Sequence, residues 1–150
     1  MPEMASSYVL AVPAPAVWGL LVDFGSIQKW WPTDGPVRID HVEVEGQGVG
    51  MVRHIYNEGM PTPVSERLDL LDHATRTIVL SIVGRRPPGL TAYVAIGRLA
   101  EIDAASCRLD YSALITTDEG CEERVRAGVL KTWSLMVQGL ENGACLLARS

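Results

Sequence analysis

From residue 37 onward, hydrophobic and polar positions alternate along most of this chain. The segments 37–45, 49–57, 64–72, 75–83, 91–102 and 106–116 are rich in β-branched residues and are separated by Gly, Pro, Asp or Asn. Alternation of this kind predicts strands, and short connections between consecutive strands predict an antiparallel meander. A further strand is expected over 6–12, ended by Pro13, which cannot donate to a sheet ladder. Between these regions the period changes. Val17, Leu20, Leu21 and Phe24 recur at helical spacing after Pro13 and Pro15, so a short helix is expected over 16–24, closed by Gly25. The segment 25–32 (GSIQKWWP) suits a second short helix or turn. Val125, Val129, Trp133, Met136, Val137 and Leu140 then form one apolar face of a helix of about twenty residues. Asp118, Glu119, Glu122 and Glu123 crowd its start, where the helix dipole favours negative charge.

The order strand, two short helices, six strands and long helix gives an α+β fold. Its seven-stranded curved antiparallel sheet wraps a long C-terminal helix, and the short helices lie between the first and second strands. One helix cannot fill the concave face of so wide a sheet. A cavity walled by apolar side chains with a few polar groups is therefore expected.

Composition narrows the function classes. A chain of 150 residues fits one domain, 1–150, and buries roughly 70% of its unfolded surface. Its 47% hydrophobic and 21% charged residues are those of an ordered globular protein. The formal net charge is −5 and the thirteen Lys and Arg are scattered, so no basic stripe is present for nucleic acid. No apolar run approaches the roughly 20 residues of a membrane span, and the first residues lack a leader pattern, so a cytoplasmic location is expected. Cys107, Cys121 and Cys145 form no paired motif, and His41, His54 and His73 are dispersed, so no metal site is expected. Gly46, Gly48 and Gly50 lead into a strand rather than a helix, which is a turn and not a nucleotide fingerprint. No cofactor is expected.

Face-sharing picks out candidate site residues. Glu66 shares its face with Val64, Leu68 and Leu70, and Tyr93 with Ala95, Gly97 and Leu99, so both are expected to point inward. Arg53 is expected inward beside Val49, Met51 and Ile55, while His54 lies on the opposite face. A carboxylate on an apolar face needs a partner or a raised pKa. Three readings stand for Glu66: a structural ion pair with Arg53, a ligand anchor, or an acid or base. Tyr93 and Tyr111 are candidate donors to a ligand carbonyl. Asp110 and Ser112 share a face that excludes Leu109 and Tyr111, which gives a hydrolase-like Ser/His/Asp triad no geometric support.

In their order and spacing, PAPAVWGLLVDF, KWWP, GVGMVR, SERLDLLD, SIVG, Thr91 to Tyr93 and the terminal GLE resemble the Bet v 1-like or START-like helix-grip superfamily. That group is described as polyketide cyclase/dehydrase and lipid-transport proteins, and the resemblance spans nearly the whole chain. Within it, GMPTPVSERLDLLD is similar to the plant abscisic acid receptors, whose Gly-Leu-Pro loop gates the cavity; RRPPGL at 85–90 corresponds to their latch. Two departures separate this chain from hormone reception. Trp31 stands where the receptors hold the hormone carboxylate with a lysine, and Pro87, Pro88 and Gly89 replace polar latch residues. Tyr111 also stands where they have a pocket glutamate, so the cavity is less suited to anions.

The resemblance and the face-sharing together imply ligand contacts from Trp31, Met51, Arg53, Ile55, Met60 and Pro61. Val64, Glu66, Leu80, Ile82, Leu90, Tyr93 and Tyr111 join them from the sheet, and Val129, Trp133 and Val137 from the helix. The function expected is binding of a small hydrophobic or amphipathic molecule, as a carrier or sensor. The alternative is a polyketide cyclase or dehydratase-like enzyme using Glu66, Arg53 and Tyr93. A homodimer through the cavity mouth is left open by the sequence.

Overall fold

The computed structural model describes residues 3–148, so residues 1–2 and 149–150 of the expected 1–150 domain lie outside the described residues. Strand β1 (Glu3–Leu10) is followed by helix α1 (Ala14–Val22) and a 3-10 segment, Phe24–Lys29. Strands β2 (Ile39–Glu45), β3 (Val52–Asn57), β4 (Val64–Asp72), β5 (Thr77–Val83), β6 (Leu90–Asp103) and β7 (Ser106–Thr117) then lead to helix α2 (Glu122–Ala148). The sheet order is β1-β7-β6-β5-β4-β3-β2, with every neighbour antiparallel. The expected α+β helix-grip architecture is the one observed.

Several boundaries differ from the sequence reading, each for a local reason. β1 ends at Leu10 because its partner strand β7 begins at Ser106 and the pairing stops at Cys107; the Ala11 amide then donates to the Glu141 carboxylate at 2.9 Å. Helix α1 starts earlier, at Ala14, and stops at Val22, so Gly25 does not close it. Gly25 sits in the 3-10 segment, where a Cβ would approach the Val44 side chain to 2.9 Å. Its small size lets this segment lie on β2.

β3 starts at Val52 rather than 49, because Gly46, Gly48 and Gly50 all take positive φ and prolong the turn. Val49 therefore does not share the inner face of Arg53 and is exposed. β5 starts at Thr77, after Arg76 adopts a left-handed conformation with φ 49°. In β4 a bulge between Leu68 and Leu70 shifts the register by one residue. A one-residue slip exchanges faces, so Leu68 is buried, Leu70 is exposed and Leu71 packs on the core.

The 27 residues of α2 exceed the twenty expected, since its apolar stripe continues through the fully buried Leu140 and Ala144. At Gly139 a Cβ would meet the Trp30 carbonyl oxygen at 2.4 Å and Pro32 Cδ at 2.9 Å. At Gly143 it would meet Trp30 Cβ at 2.9 Å and Leu20 Cδ1 at 3.1 Å. The two glycines seat the C-terminal half of α2 against Trp30 and the end of α1. Gly128, in the N-terminal half, meets nothing within 4 Å.

Gly139→Ala is therefore expected to destabilise the fold by about 1–3 kcal/mol through forced displacement of a backbone carbonyl. Gly128→Ala is expected to stabilise it by up to about 1 kcal/mol through helix propensity. Urea unfolding of both variants beside the parent checks the pair, and equal effects of the same sign would contradict this account of helix seating.

Candidate functional site: a cavity beneath the C-terminal helix

Between the inner face of the sheet and the N-terminal half of α2 lies a cavity of about 540 Å³. This falls within the roughly 300–1,000 Å³ usual for small-molecule sites. Ile55, Val64 and Ile82 form its floor, projecting from β3, β4 and β5. Val125, Val129 and Met136 form the helix wall at helical spacing. Around the mouth stand Trp31, Met60, Pro87 and Leu90. Trp31 is fixed by its indole N–H, which donates to the Val37 carbonyl at 2.8 Å. That bond sets the orientation of the ring against the cavity.

Polar groups gather at the inner end. Arg53 Nη2 lies 2.7 Å from Glu66 Oε1, and Arg53 Nε donates to the same oxygen at 2.9 Å. The Arg53 side chain is 9% exposed and that of Glu66 15%. Nη1 donates to the Phe24 carbonyl at 3.0 Å, and the guanidinium lies over the Phe24 ring, 3.8 Å from its centroid. Such cation–π contacts are stronger when desolvated. The cross-strand register Arg53↔Glu66 places the pair directly opposite, as the structural ion-pair reading expected. With one carboxylate oxygen holding Arg53, Oε2 is left without a protein hydrogen bond among the described residues.

Two phenols complete this end. Trp133 donates its indole N–H to the Tyr93 hydroxyl at 2.9 Å and meets the Tyr111 ring edge-on, 4.9 Å between centroids. Tyr111 fits because its neighbour across β6 is Gly97, where a Cβ would come within 3.0 Å of the Tyr111 ring. Burial pushes both tyrosines above their ordinary value of 10, and the nearby Glu66 charge adds to the shift. Both therefore stay protonated and serve as donors, not bases.

Met51, Pro61, Leu80 and Val137, placed on the cavity by the sequence reading, do not line it. Met51 precedes β3 and its methyl lies 3.7 Å from where a Gly25 Cβ would be, beneath the 3-10 segment. Leu80 points inward but is buried in core beyond the end of the cavity, paired with Leu68 and Ala95. Val137 packs against the core on a different part of the helix face, and Pro61 lies in the loop beyond the mouth. The other twelve residues named from sequence all border the cavity.

The structure adds Asn57, Val125 and Met136 to the wall. Asn57 continues the alternation of Arg53 and Ile55 along β3, and Val125 and Met136 belong to the apolar stripe of α2. Periodicity therefore carried the signal for all three. Pro36, Arg124 and Lys131 also reach the rim, and no sequence pattern marks them.

On the outer face, Ser65, His54 and Glu45 form a chain, with His54 Nδ1 2.7 Å from Ser65 Oγ and Nε2 2.9 Å from Glu45 Oε1. Ser65, the second residue of β4, is paired with His54 of β3 and Val83 of β5, where ladder bonds engage the backbone amides that an oxyanion would need. The chain is a cross-strand tie.

The family model for polyketide cyclase/dehydrase and lipid transport matches residues 1–141. The chain belongs to that family. Among solved structures it is similar to the Zhui aromatase/cyclase from Streptomyces sp. R1128, at 19% identity and TM-score 0.76, covering 95% of this chain and 93% of that one. Norcoclaurine synthase from Thalictrum flavum, in complex with dopamine and hydroxybenzaldehyde, is similar at 17% identity and TM-score 0.76, covering 99% and 88%. The di-domain aromatase/cyclase BexL from the BE-7585A biosynthetic pathway is similar at 18% identity and TM-score 0.81, covering 100% of this chain but 48% of that one. These likenesses establish the fold the family shares. No curated protein sequence matches the chain. No helix among the described residues is long and apolar enough to cross a membrane.

The two phenols make a prediction. Because their folded pKa values lie above the unfolded value of about 10, the folded state holds protons that the unfolded state loses. Their stability contribution is complete below pH 10 and declines as pH rises beyond it. Melting temperatures are expected to fall between pH 10 and 11 more steeply in the parent than in a Tyr93→Phe/Tyr111→Phe double variant, and parallel profiles would refute the burial of these hydroxyls.

Proposed function

We propose that this protein encloses a small, neutral, largely apolar molecule in the cavity beneath α2, as a carrier or sensor. The observation that supports this most directly is the cavity itself: apolar on floor and helix wall, with the charged groups of its inner end, Arg53 and Glu66, already paired to each other. An anion bound at the inner end would have to compete with Glu66 for Arg53, at the cost of breaking a desolvated pair, which is of order 3–5 kcal/mol. A neutral occupant avoids that cost. Trp31 at the mouth replaces with an apolar face the lysine that holds a carboxylate in the receptors the chain resembles. The loops around Met60 and around Pro87–Pro88 border the mouth and are the segments through which a ligand would pass.

Protein purified without added ligand is expected to carry, or to take up from panels of terpenoid, aromatic and lipid compounds, a neutral molecule detectable by native mass spectrometry. Val129→Trp, which fills the cavity from the helix side, is expected to abolish uptake. Absence of any bound species across the panels would overturn the reading.

A second reading is favoured by the side chains at the inner end, and by the enzymes among the similar structures. The carboxylate of Glu66 and the phenol of Tyr93 could promote enolisation of a carbonyl compound, the first accepting a proton from carbon and the second donating to oxygen. Enclosure would supply orientation. Cyclisation of a poly-carbonyl substrate should then fall at least about 100-fold in Glu66→Gln. Undiminished turnover in Glu66→Gln and Tyr93→Phe would remove these roles.

A further inference from the structure

Close packing accounts for Gly139 and Gly143, but not for Gly128. A Cβ there would meet nothing within 4 Å, and the residue is exposed, where glycine costs helix stability relative to alanine. Gly128 nonetheless lines the cavity. A residue that borders both the cavity and solvent marks an opening.

Its neighbours along the helix define how far that opening extends. Arg124, Gly128, Lys131 and Leu135 follow one another at intervals of three and four residues, so they form one flank of α2, and Cys121 continues it just before the helix. At its N-terminal end this flank is sealed by the connection between β5 and β6. The Asp118 amide donates to the Gly89 carbonyl at 2.9 Å, Arg124 Nη2 donates to the Pro88 carbonyl at 3.4 Å, and a Cβ at Gly89 would lie 3.3 Å from Cys121 Sγ. At the other end it is sealed by Gly35, where a Cβ would lie 3.0 Å from Leu135 Cδ2. Arg124 and Leu135 are roughly 16 Å apart along the helix, at about 1.5 Å per residue. Between them Gly128 and Lys131 are exposed and line the cavity. Across the gap, Pro36, Glu58 and Met60 line it from the opposite lip. That lip is tied to itself: Arg38 Nε lies 2.9 Å from Glu58 Oε2, and the Glu58 amide donates to the Arg38 carbonyl at 2.8 Å.

We propose that the cavity opens through a slot along this flank, and that Gly128 is its portal residue, governing how fast an apolar ligand enters and leaves. The loop at Pro87–Pro88 bounds one end of the slot, and Met60 stands on its far lip. A larger side chain at 128 would project into the slot rather than into packed core, because no atom lies where it would begin. It would obstruct passage without occupying the floor of the cavity. Entry and exit then slow alike, and the affinity, which is their ratio, is kept. The inference rests on the cavity being a binding site and adds where that site opens and which residue limits passage.

Stopped-flow fluorescence with two neutral probes that brighten in apolar surroundings, N-phenyl-1-naphthylamine and 1,6-diphenylhexatriene, measures uptake and release. In the series Gly128→Ala, Gly128→Leu and Gly128→Phe both rates are expected to fall with side-chain size, by about tenfold or more in Gly128→Phe, while Kd stays within about threefold of the parent. Gly128→Ala is expected to melt at a higher temperature than the parent and yet to exchange ligand more slowly, a combination that a purely structural role would not produce. Ala127→Phe, at an exposed position of α2 that does not line the cavity, is expected to leave both rates unchanged. Melting temperatures confirm that each variant folds. Uptake by Gly128→Phe at the parental rate would overturn the portal, and so would equal slowing in Ala127→Phe. Weaker binding with release no slower than in the parent would overturn it too, since the new side chain would then be filling the cavity. Failure of the parent to bind either probe would instead overturn the cavity-binding reading on which the inference depends.

Discussion

The structure depends on how closely one helix can approach one sheet. Gly139 and Gly143 remove the side chains that would otherwise hold the C-terminal half of α2 off the chain beneath it, and Trp30 fills the contact. In the N-terminal half the residues facing the sheet are Val125, Val129, Trp133 and Met136, whose bulk keeps the helix away. A rigid helix pinned at one end and propped at the other leaves a wedge of space. Close packing closes that wedge at the Leu140 and Ala144 end, where both residues are fully buried, and leaves it open toward the β3–β4 and β5–β6 loops.

What occupies the inner end of this wedge governs its chemistry. Four polar side chains meet there, from β3, β4, β6 and β7, and none is left as an uncompensated charge. Arg53 is held by Glu66, the Phe24 carbonyl and the Phe24 ring. Tyr93 is held by Trp133, and Tyr111 is made possible by Gly97. A pair that satisfies itself when the cavity is empty leaves no uncompensated buried charge, and it presents hydrogen-bonding atoms to a guest rather than free charge. The family is described by cyclase/dehydrase activity and by lipid transport, and the cavity of this chain is a largely apolar enclosure.

The legible part of the site was the part carried by strict periodicity. Arg53, Glu66 and Tyr93 face inward as alternation required, and the helix stripe placed Val129 and Trp133 correctly. Alternation failed where a single residue broke the register: the bulge between Leu68 and Leu70 turned Leu70 outward, and the glycine turn before β3 removed Val49 from the inner face. Neither is visible in a hydrophobic pattern, since a bulge changes which face a residue occupies without changing what the residue is. Leu80 and Val137 failed differently. Both point into the interior, but inward is not the same as bordering empty space.

The sequence by itself determined the element order, the antiparallel meander, the long terminal helix and the inward direction of Glu66 and Arg53, because each follows from a period of two or 3.6. Only the tertiary structure decided where the cavity begins and ends, that Gly139 and Gly143 are contacts rather than weak points in a helix, and which strand carries the partner of Glu66. Those facts depend on the distance between elements far apart in the chain, and that distance is set by how side chains of particular volume pack. A one-dimensional pattern records which residues turn inward; it does not record how much room they leave.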